Sequence, residues 1–298
     1  MILNISGRTD IVAFYSDWLM NRLEEGFIDV RNPFNKKLVS RIMLEDVDLL
    51  FFCTKNPLPI LDKLKDINKK VYFHVTFTPY KKDIEPNLPP KKEIIEGIKK
   101  ISDLIGKENV VVRYDPILLN DYYTVDYHLK AFNKVCTLLD GYINKIIVSF
   151  IDDYKNVRKN YKVLKYCEFT EDDYKRIGEC FSKSAKEHNI IVHTCNEERN
   201  LEEYGFIKED CMSRELAFKL TNNIYKKEWK ARNSKYCHCI EMVDIGVYNS
   251  CKHFCKYCYA NFDEKQVNDN YNKHNPKSSL LIGELEEDDV IKIRKRSI

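Results

Sequence analysis

A chain of 298 residues with 44% hydrophobic and 12% aromatic content is long enough to bury a sizeable core. Its 49 Lys and Arg stand against 46 Asp and Glu, a formal charge of +3, so charge alone does not imply a nucleic-acid partner. The start, "MILNISGRTD", turns polar too soon for a signal peptide, and no apolar run approaches the length of a membrane span. The expectation is a cytoplasmic protein with no membrane partner. In that reducing compartment eleven cysteines do not read as disulfides, and metal ligation better explains those that cluster.

In chain order, short β-branched or aromatic runs alternate with amphipathic helical stretches. The run "ILNIS" (2–6) precedes a helical pattern over 11–26, and "VDLLFFC" (47–53) and "VYFHVTF" (71–77) precede another over 90–107. Then "VVVRY" (110–114) leads to a helix over 125–141, and "KIIVSF" (145–150) to one over 170–188. That last helix opens on Thr170, Asp172 and Asp173, residues suited to a cap and first turn. The runs "IIVHTC" (190–195) and "IEMVDIGVY" (240–248) complete the series. Apolar runs separated by helices predict an α/β fold of parallel strands, a partial or full TIM-like βα barrel in one domain spanning 1–298. An open doubly wound sheet is the alternative.

In such folds chemistry gathers on the loops after the strands. Here those loops carry Arg8, Thr9 and Asp10, then Thr54, Lys55 and Asn56, then Asp83 and Glu85. Arg113 and Asp115 follow, then Ser149, Asp152 and Asp153, then His193, Cys195 and Glu197. Solvated loops are polar in any fold, which is the plain alternative for each of these residues.

The stretch "NSCKHFCKYCYANF" (249–262) places Cys251, Cys255 and Cys258 in CxxxCxxC spacing after the last run. Zinc usually closes a tetrahedron with four protein ligands, whereas a 4Fe-4S cluster on three thiolates keeps one iron open to a small molecule. A zinc knuckle completed by His253 or His238 is the competing account. A second group, Cys195, Cys211 and the pair Cys237 and Cys239, reads as ligands of an auxiliary 4Fe-4S cluster in preference to zinc, with unligated cysteines also open. Cys53, Cys136, Cys167 and Cys180 lie in apolar patterns and read as small core residues.

A CxxxCx-aromatic-C loop directly after a strand resembles the radical S-adenosylmethionine enzymes. That resemblance implies a cofactor chelated by the open iron, Tyr257 packed on its adenine, and homolytic chemistry on a bound substrate. In most members of that class the loop follows the first strand, so a circular permutation is implied, with strand 240–248 standing first and 2–6 second. The segments "RTDIVAFYSDW", "VRNPFN", "TKNP", "TPYKKDIEPNLPP", "RYDPILLN" and "DIGVYNSCKHFCKYCYANF" resemble an uncharacterised bacterial family with a C-terminal cysteine cluster of this kind.

The usual Gly-Gly-Glu segment has no counterpart, since no Gly-Gly pair occurs; Thr9 or Asp10 stands where the permuted order places its equivalent. Thr54, Asn56, Arg113 and Asp115 complete the expected cofactor set, Asp115 toward the ribose and Arg113 toward the carboxylate. An internal salt bridge is the alternative for that last pair. Arg8, Asp10, Lys55 and His193 are the candidate catalytic residues, with Asp152 also facing substrate. Expected partners are a small-molecule or anionic substrate and an electron donor such as flavodoxin or ferredoxin. The basic-aromatic stretches "NNIYKKEWKARNSK" and "KIRKR" leave single-stranded nucleic acid open. The alternative function is a non-catalytic zinc or iron-sulfur module that binds nucleic acid or protein.

Overall fold

The computed structural model describes residues 1–226 and 236–296. Its core is a sheet of eight strands, all paired in parallel. In chain order these are β1 (Ile2–Ile5), β4 (Leu49–Thr54), β5 (Val71–Thr76), β6 (Val110–Ile117), β7 (Lys145–Phe150), β8 (Ile191–Thr194), β9 (Ile207–Lys208) and β10 (Met242–Asp244). The order across the sheet is β10-β1-β4-β5-β6-β7-β8-β9. The strand that leads into the cysteine loop therefore lies beside β1, the neighbour relation that a permuted order requires. Among the described residues β9 and β10 do not pair, so the parallel α/β fold is as expected but a fully closed barrel is not observed.

The helices are α1 (Ile11–Phe14), α2 (Ser16–Glu25), α3 (Lys91–Ile105), α4 (Val125–Leu138), α5 (Lys155–Lys159), α6 (Tyr161–Leu164), α7 (Glu171–Glu187), α8 (Arg214–Thr221) and α9 (Glu264–Asn272). Helices α1 to α4 and α7 pack on the outer face, whereas α8 packs in the inner-face cluster and α5 and α6 in a third, smaller one. Alternation along each strand explains the continuous apolar runs, because both faces are buried. Leu50, Phe52, Phe73, Val75, Val112 and Tyr114 pack outward with the helices. Leu49, Phe51, Tyr72, Val111 and Ile147 pack on the opposite, inner face. The α7 helix is fixed at its start by a reciprocal cap between Thr170 and Asp173. Its Phe181 ring stacks on Phe132 of α4 at a centroid separation of 3.7 Å.

Three features depart from the sequence reading. The helix expected over 11–26 is two helices, because Tyr15 between them leaves helical geometry and donates its hydroxyl to the Ser250 carbonyl at 2.5 Å. A second sheet, β11-β3-β2, is built from an antiparallel pair, β2 (Phe27–Arg31) and β3 (Leu38–Met43), with β11 (Val290–Ile293) parallel to β3. The β2–β3 pair buries Asp29 against Arg41 rather than presenting a plain apolar face, which hides it from a hydrophobicity pattern. Cys136 is buried as expected, but Cys167 and Cys180 are exposed and are not core residues. No helix among the described residues is long and apolar enough to cross a membrane.

Replacing Phe181 by Ala removes a fully buried ring and its stacking partner. Chemical denaturation should register a loss of about 3–5 kcal/mol for Phe181→Ala; a loss below about 1 kcal/mol would mean that α4 and α7 do not pack as described.

Candidate metal and cofactor site

A cavity of about 700 Å³ opens at the C-terminal ends of the parallel strands and runs down between the inner-face side chains. Its walls include Cys251, Cys255 and Cys258 near the mouth and Cys195 and Cys211 deeper in. One space thus touches both cysteine groups.

The mouth is organised by two buried carboxylates. Asp10 caps α1 through the Ala13 N–H at 3.0 Å, accepts the Thr54 hydroxyl and the Lys55 N–H at 2.8 Å each, and lies 2.9 Å from His253 Nε2. It therefore ties the first strand's loop and the end of β4 to the middle of the cysteine loop. With this many donors on one carboxylate, Asp10 is a positioning residue and has little capacity left for substrate or cofactor. The three thiols are not gathered within 4.8 Å of one another or with His253, whose Nε2 is taken up by Asp10 and whose buried Nδ1 has no protein partner. The Cys258 sulfur accepts the Ala260 N–H at 3.3 Å, and Asn261 Nδ2 donates to the Cys251 carbonyl at 2.6 Å.

Glu85 is the second anchor, 1% exposed. It accepts Lys55 Nζ at 2.9 Å and the Thr78 hydroxyl at 2.6 Å, and also the Lys91 ammonium and the Tyr257 hydroxyl. Burial alone would push this carboxyl up, but the Lys55 and Lys91 charges, with hydrogen bonds from Lys91 and Thr78, hold it at about 2. Tyr257, the aromatic before the last cysteine, is thereby locked in place, and Lys55 Nζ lies 5.2 Å from its ring centroid. Burial pushes the Cys251, Cys255 and Cys258 thiols up. Lys55 opposes that rise at Cys255, so the charge that would favour a thiolate already stands beside it.

The remaining expected site residues divide. Arg8 lines the cavity but is committed to Asp244, with Nε 3.2 Å from the carboxylate and Nη2 2.6 Å from the carbonyl. Asp244 was not anticipated from sequence; its carboxylate also accepts the Ser6 hydroxyl at 2.7 Å and the Gly7 and Gly246 N–H groups at 2.9 and 2.8 Å. Gly7 allows that approach, since a Cβ there would stand 3.0 Å from the Asp244 carboxylate. Arg113 and Asp115 form the internal salt bridge at 2.6 Å, and Ser149 also bonds Asp115, yet all three line the cavity. Asn56 shapes its own turn, accepting the Leu58 N–H at 3.2 Å, and does not line the cavity. His193 also lies off it, paired with Glu209 at 2.9 Å, so a catalytic role there is not supported. Burial and Lys145 hold that imidazole down to about 4.

Polar groups without a protein partner are more informative. Thr9 Oγ1, Asn4 Oδ1 and both ring nitrogens of His74 are buried, unpartnered and on the cavity wall. Such groups are costly to leave unmet and point to a polar ligand or water. Burial and the neighbouring Arg113 keep His74 neutral. Among the described residues every Lys and Arg on the wall (Arg8, Arg31, Lys55, Arg113 and Arg294) is paired with a carboxylate. Glu197 is the opposite case: burial and the nearby Asp115 and Asp152 charges push its carboxyl up to about 8, against the Phe150 N–H that it accepts at 2.9 Å.

Deeper in, the sulfurs of Cys195, Cys211 and Cys239 lie within 4.8 Å of one another, and Cys237 forms a similarly tight group with Cys239 and Asp210. The basic stretch noted in the sequence falls largely at 227–235, outside the described residues.

The family model described as "Domain of unknown function (DUF1848)" matches residues 2–260. The chain belongs to the DUF1848 family. No curated protein matches it. Among solved structures, a single-site cysteine-to-alanine mutant of spore photoproduct lyase aligns at 14% identity with a TM-score of 0.36, covering 48% of this chain and 50% of that one. The DUF1848 chain thus spans about half the length of that protein, and the reading of its site rests on the geometry above.

The raised Glu197 carboxyl carries a pH signature. The unfolded carboxylate ionises at about 4.3 and the folded one near 8, so the folded state binds the extra proton in between and stability falls as pH rises through that window. Thermal midpoints should drop less between pH 5 and 8, as about a three-unit span, for Glu197→Gln than for the wild type. Parallel profiles would show that Glu197 is not held protonated.

Proposed function

We propose that this chain is a radical S-adenosylmethionine enzyme whose 4Fe-4S cluster is held by Cys251, Cys255 and Cys258. The observation that carries the reading is the donor set at the cavity mouth. Three thiols on one loop line the space at the strand ends, and among the described residues they are not drawn within 4.8 Å of one another, or in any such group with other Cys, His, Asp or Glu side chains, as the ligands of one zinc ion would be. That set fits a cluster with one open iron better than a closed zinc tetrahedron. When bound, a reduced cluster with S-adenosylmethionine supplies homolytic carbon–sulfur cleavage and a carbon-centred radical that abstracts hydrogen.

The protein's own residues do the rest. The Asp10–His253 contact and the Glu85–Tyr257 contact fix both arms of the loop, so the thiols are preorganised without the metal. Lys55 places a positive charge by Cys255, which offsets the negative charge of a thiolate-bound centre. Thr9 and Asn4 offer the unmet hydroxyl and carbonyl that suit the ammonium of a methionine head group, a better match than the saturated Asp10. The Arg113–Asp115 pair lies beyond, where Asp115 can accept ribose hydroxyls and Arg113 can share a donor with a carboxylate. His74, neutral and able both to donate and to accept, receives a polar group of the substrate at the deep end. Since the wall cations are already paired, selection of a small polar substrate falls to such neutral groups.

Anaerobic reconstitution tests the assignment. The wild type should bind iron and sulfide near four of each per chain at the loop, about the content of one cluster, and form 5′-deoxyadenosine and methionine when reduced with S-adenosylmethionine. Cys255→Ala should lose that product formation by at least about a hundredfold, on the order of 2.7 kcal/mol in barrier. Product formation that survives in Cys255→Ala, or a wild type that binds a cluster yet never cleaves the cofactor, would refute the proposal.

A further inference from the structure

The two outer edges of the main sheet come together at the second cysteine group. Cys211 follows β9, the last strand at one edge, and Cys239 precedes β10, the strand at the other. Between them the Ile240 N–H donates to the Met212 carbonyl at 3.1 Å, a backbone bond where a closed barrel would have a ladder. Cys195, just past β8, supplies the third sulfur.

The spacing of these sulfurs discriminates between metals. Cys211 Sγ and Cys239 Sγ are 3.4 Å apart, and all three sulfurs fall within 4.8 Å. Four thiolates around one zinc, each at about 2.3 Å, stand about 3.8 Å apart by tetrahedral geometry. Thiolates on a cubane sit each on a separate iron and are held wider. At 3.4 Å the sulfurs are also well beyond the ~2.05 Å of a disulfide bond. Cys237, half-exposed, adjoins this group through Cys239, with which it and Asp210 form a second set within 4.8 Å. The surroundings are largely apolar: Ile2, Phe51, Tyr72, Met212, Ile240 and Met242 share a buried cluster with the three thiols, of which Cys195 and Cys211 also line the cavity.

We propose that Cys195, Cys211, Cys237 and Cys239 bind one zinc ion that staples the two outer edges of the sheet together beneath the cavity. The ion closes through side chains the ring that the strand ladders leave open, and it fixes the entry of β10 and hence the cysteine loop that follows. This site is independent of the assignment made for Cys251, Cys255 and Cys258, and the metals report on the two separately.

Metal analysis of the full-length chain tests it, comparing the wild type, a triple variant (Cys251→Ala, Cys255→Ala, Cys258→Ala) and a double variant (Cys195→Ala, Cys239→Ala). Zinc should stay near one per chain in the wild type and the triple variant, and fall at least tenfold in the double variant. If the double variant does not fold, X-ray absorption at the zinc edge of the wild type decides instead, with four sulfur ligands at about 2.3 Å expected. Iron and sulfide retained by the triple variant would overturn the proposal in favour of an auxiliary cluster. So would a Cys211–Cys239 disulfide in non-reducing peptide mapping, or a metal-free native chain whose four thiols all alkylate. Loss of iron from the triple variant alone bears on the mouth cluster and leaves this proposal standing.

Discussion

The arrangement of the cavity mouth depends on the Asp10 carboxylate. It is buried, and it meets the start of α1, the end of β4 and the cysteine loop at once. Buried charges are stable only when their hydrogen-bonding capacity is met, so each of these segments is held to the others by the cost of separating them. The loop is far from Asp10 in sequence and adjacent in space, which is the consequence of placing β10 beside β1. Glu85 repeats the device on the other arm, with Lys55 shared between the β4 end and the loop's aromatic residue.

From this follows a division of labour among the polar residues at the strand ends. The charged ones are mostly spent on one another: Arg8 on Asp244, Lys55 on Glu85, Arg113 on Asp115. The neutral ones, Thr9, Asn4 and His74, retain unmet capacity inside a cavity able to hold a cofactor and a small substrate. A site built this way positions its ligands with a rigid, internally neutralised frame and recognises them with a few neutral groups.

Much of this was legible in the sequence, and the exceptions have physical causes. The six apolar runs from residue 2 to residue 195 each become a strand of the parallel sheet, because burial on both faces makes such strands continuous in hydrophobicity. The nine-residue run at 240–248 yields only Met242–Asp244, since Asp244 turns its carboxylate back on the Gly246 N–H and bends the chain away. Cys251, Cys255 and Cys258 were found by spacing alone, and the wall of the cavity includes them. His74 and Asn4 were missed because each lies inside an apolar run. A signal for them existed: along β4, β5, β6 and β7 the inner-face positions pass from Leu49, Tyr72, Val111 and Ile147 to Cys53, His74, Arg113 and Ser149, polar toward the strand ends. His193 shows the converse, since a polar residue near a strand end can turn to a neighbouring strand, here to Glu209 after β9.

The central claim is that the loop held by Asp10 presents one open iron to the cavity. Electron paramagnetic resonance of the anaerobically reduced chain, with and without S-adenosylmethionine, tests it most directly. The account predicts a cluster signal whose g-values shift on adding the cofactor, and it predicts that Thr9→Val with Asn4→Ala keeps the signal but weakens the shift. A cluster signal indifferent to the cofactor at saturating concentration would contradict it.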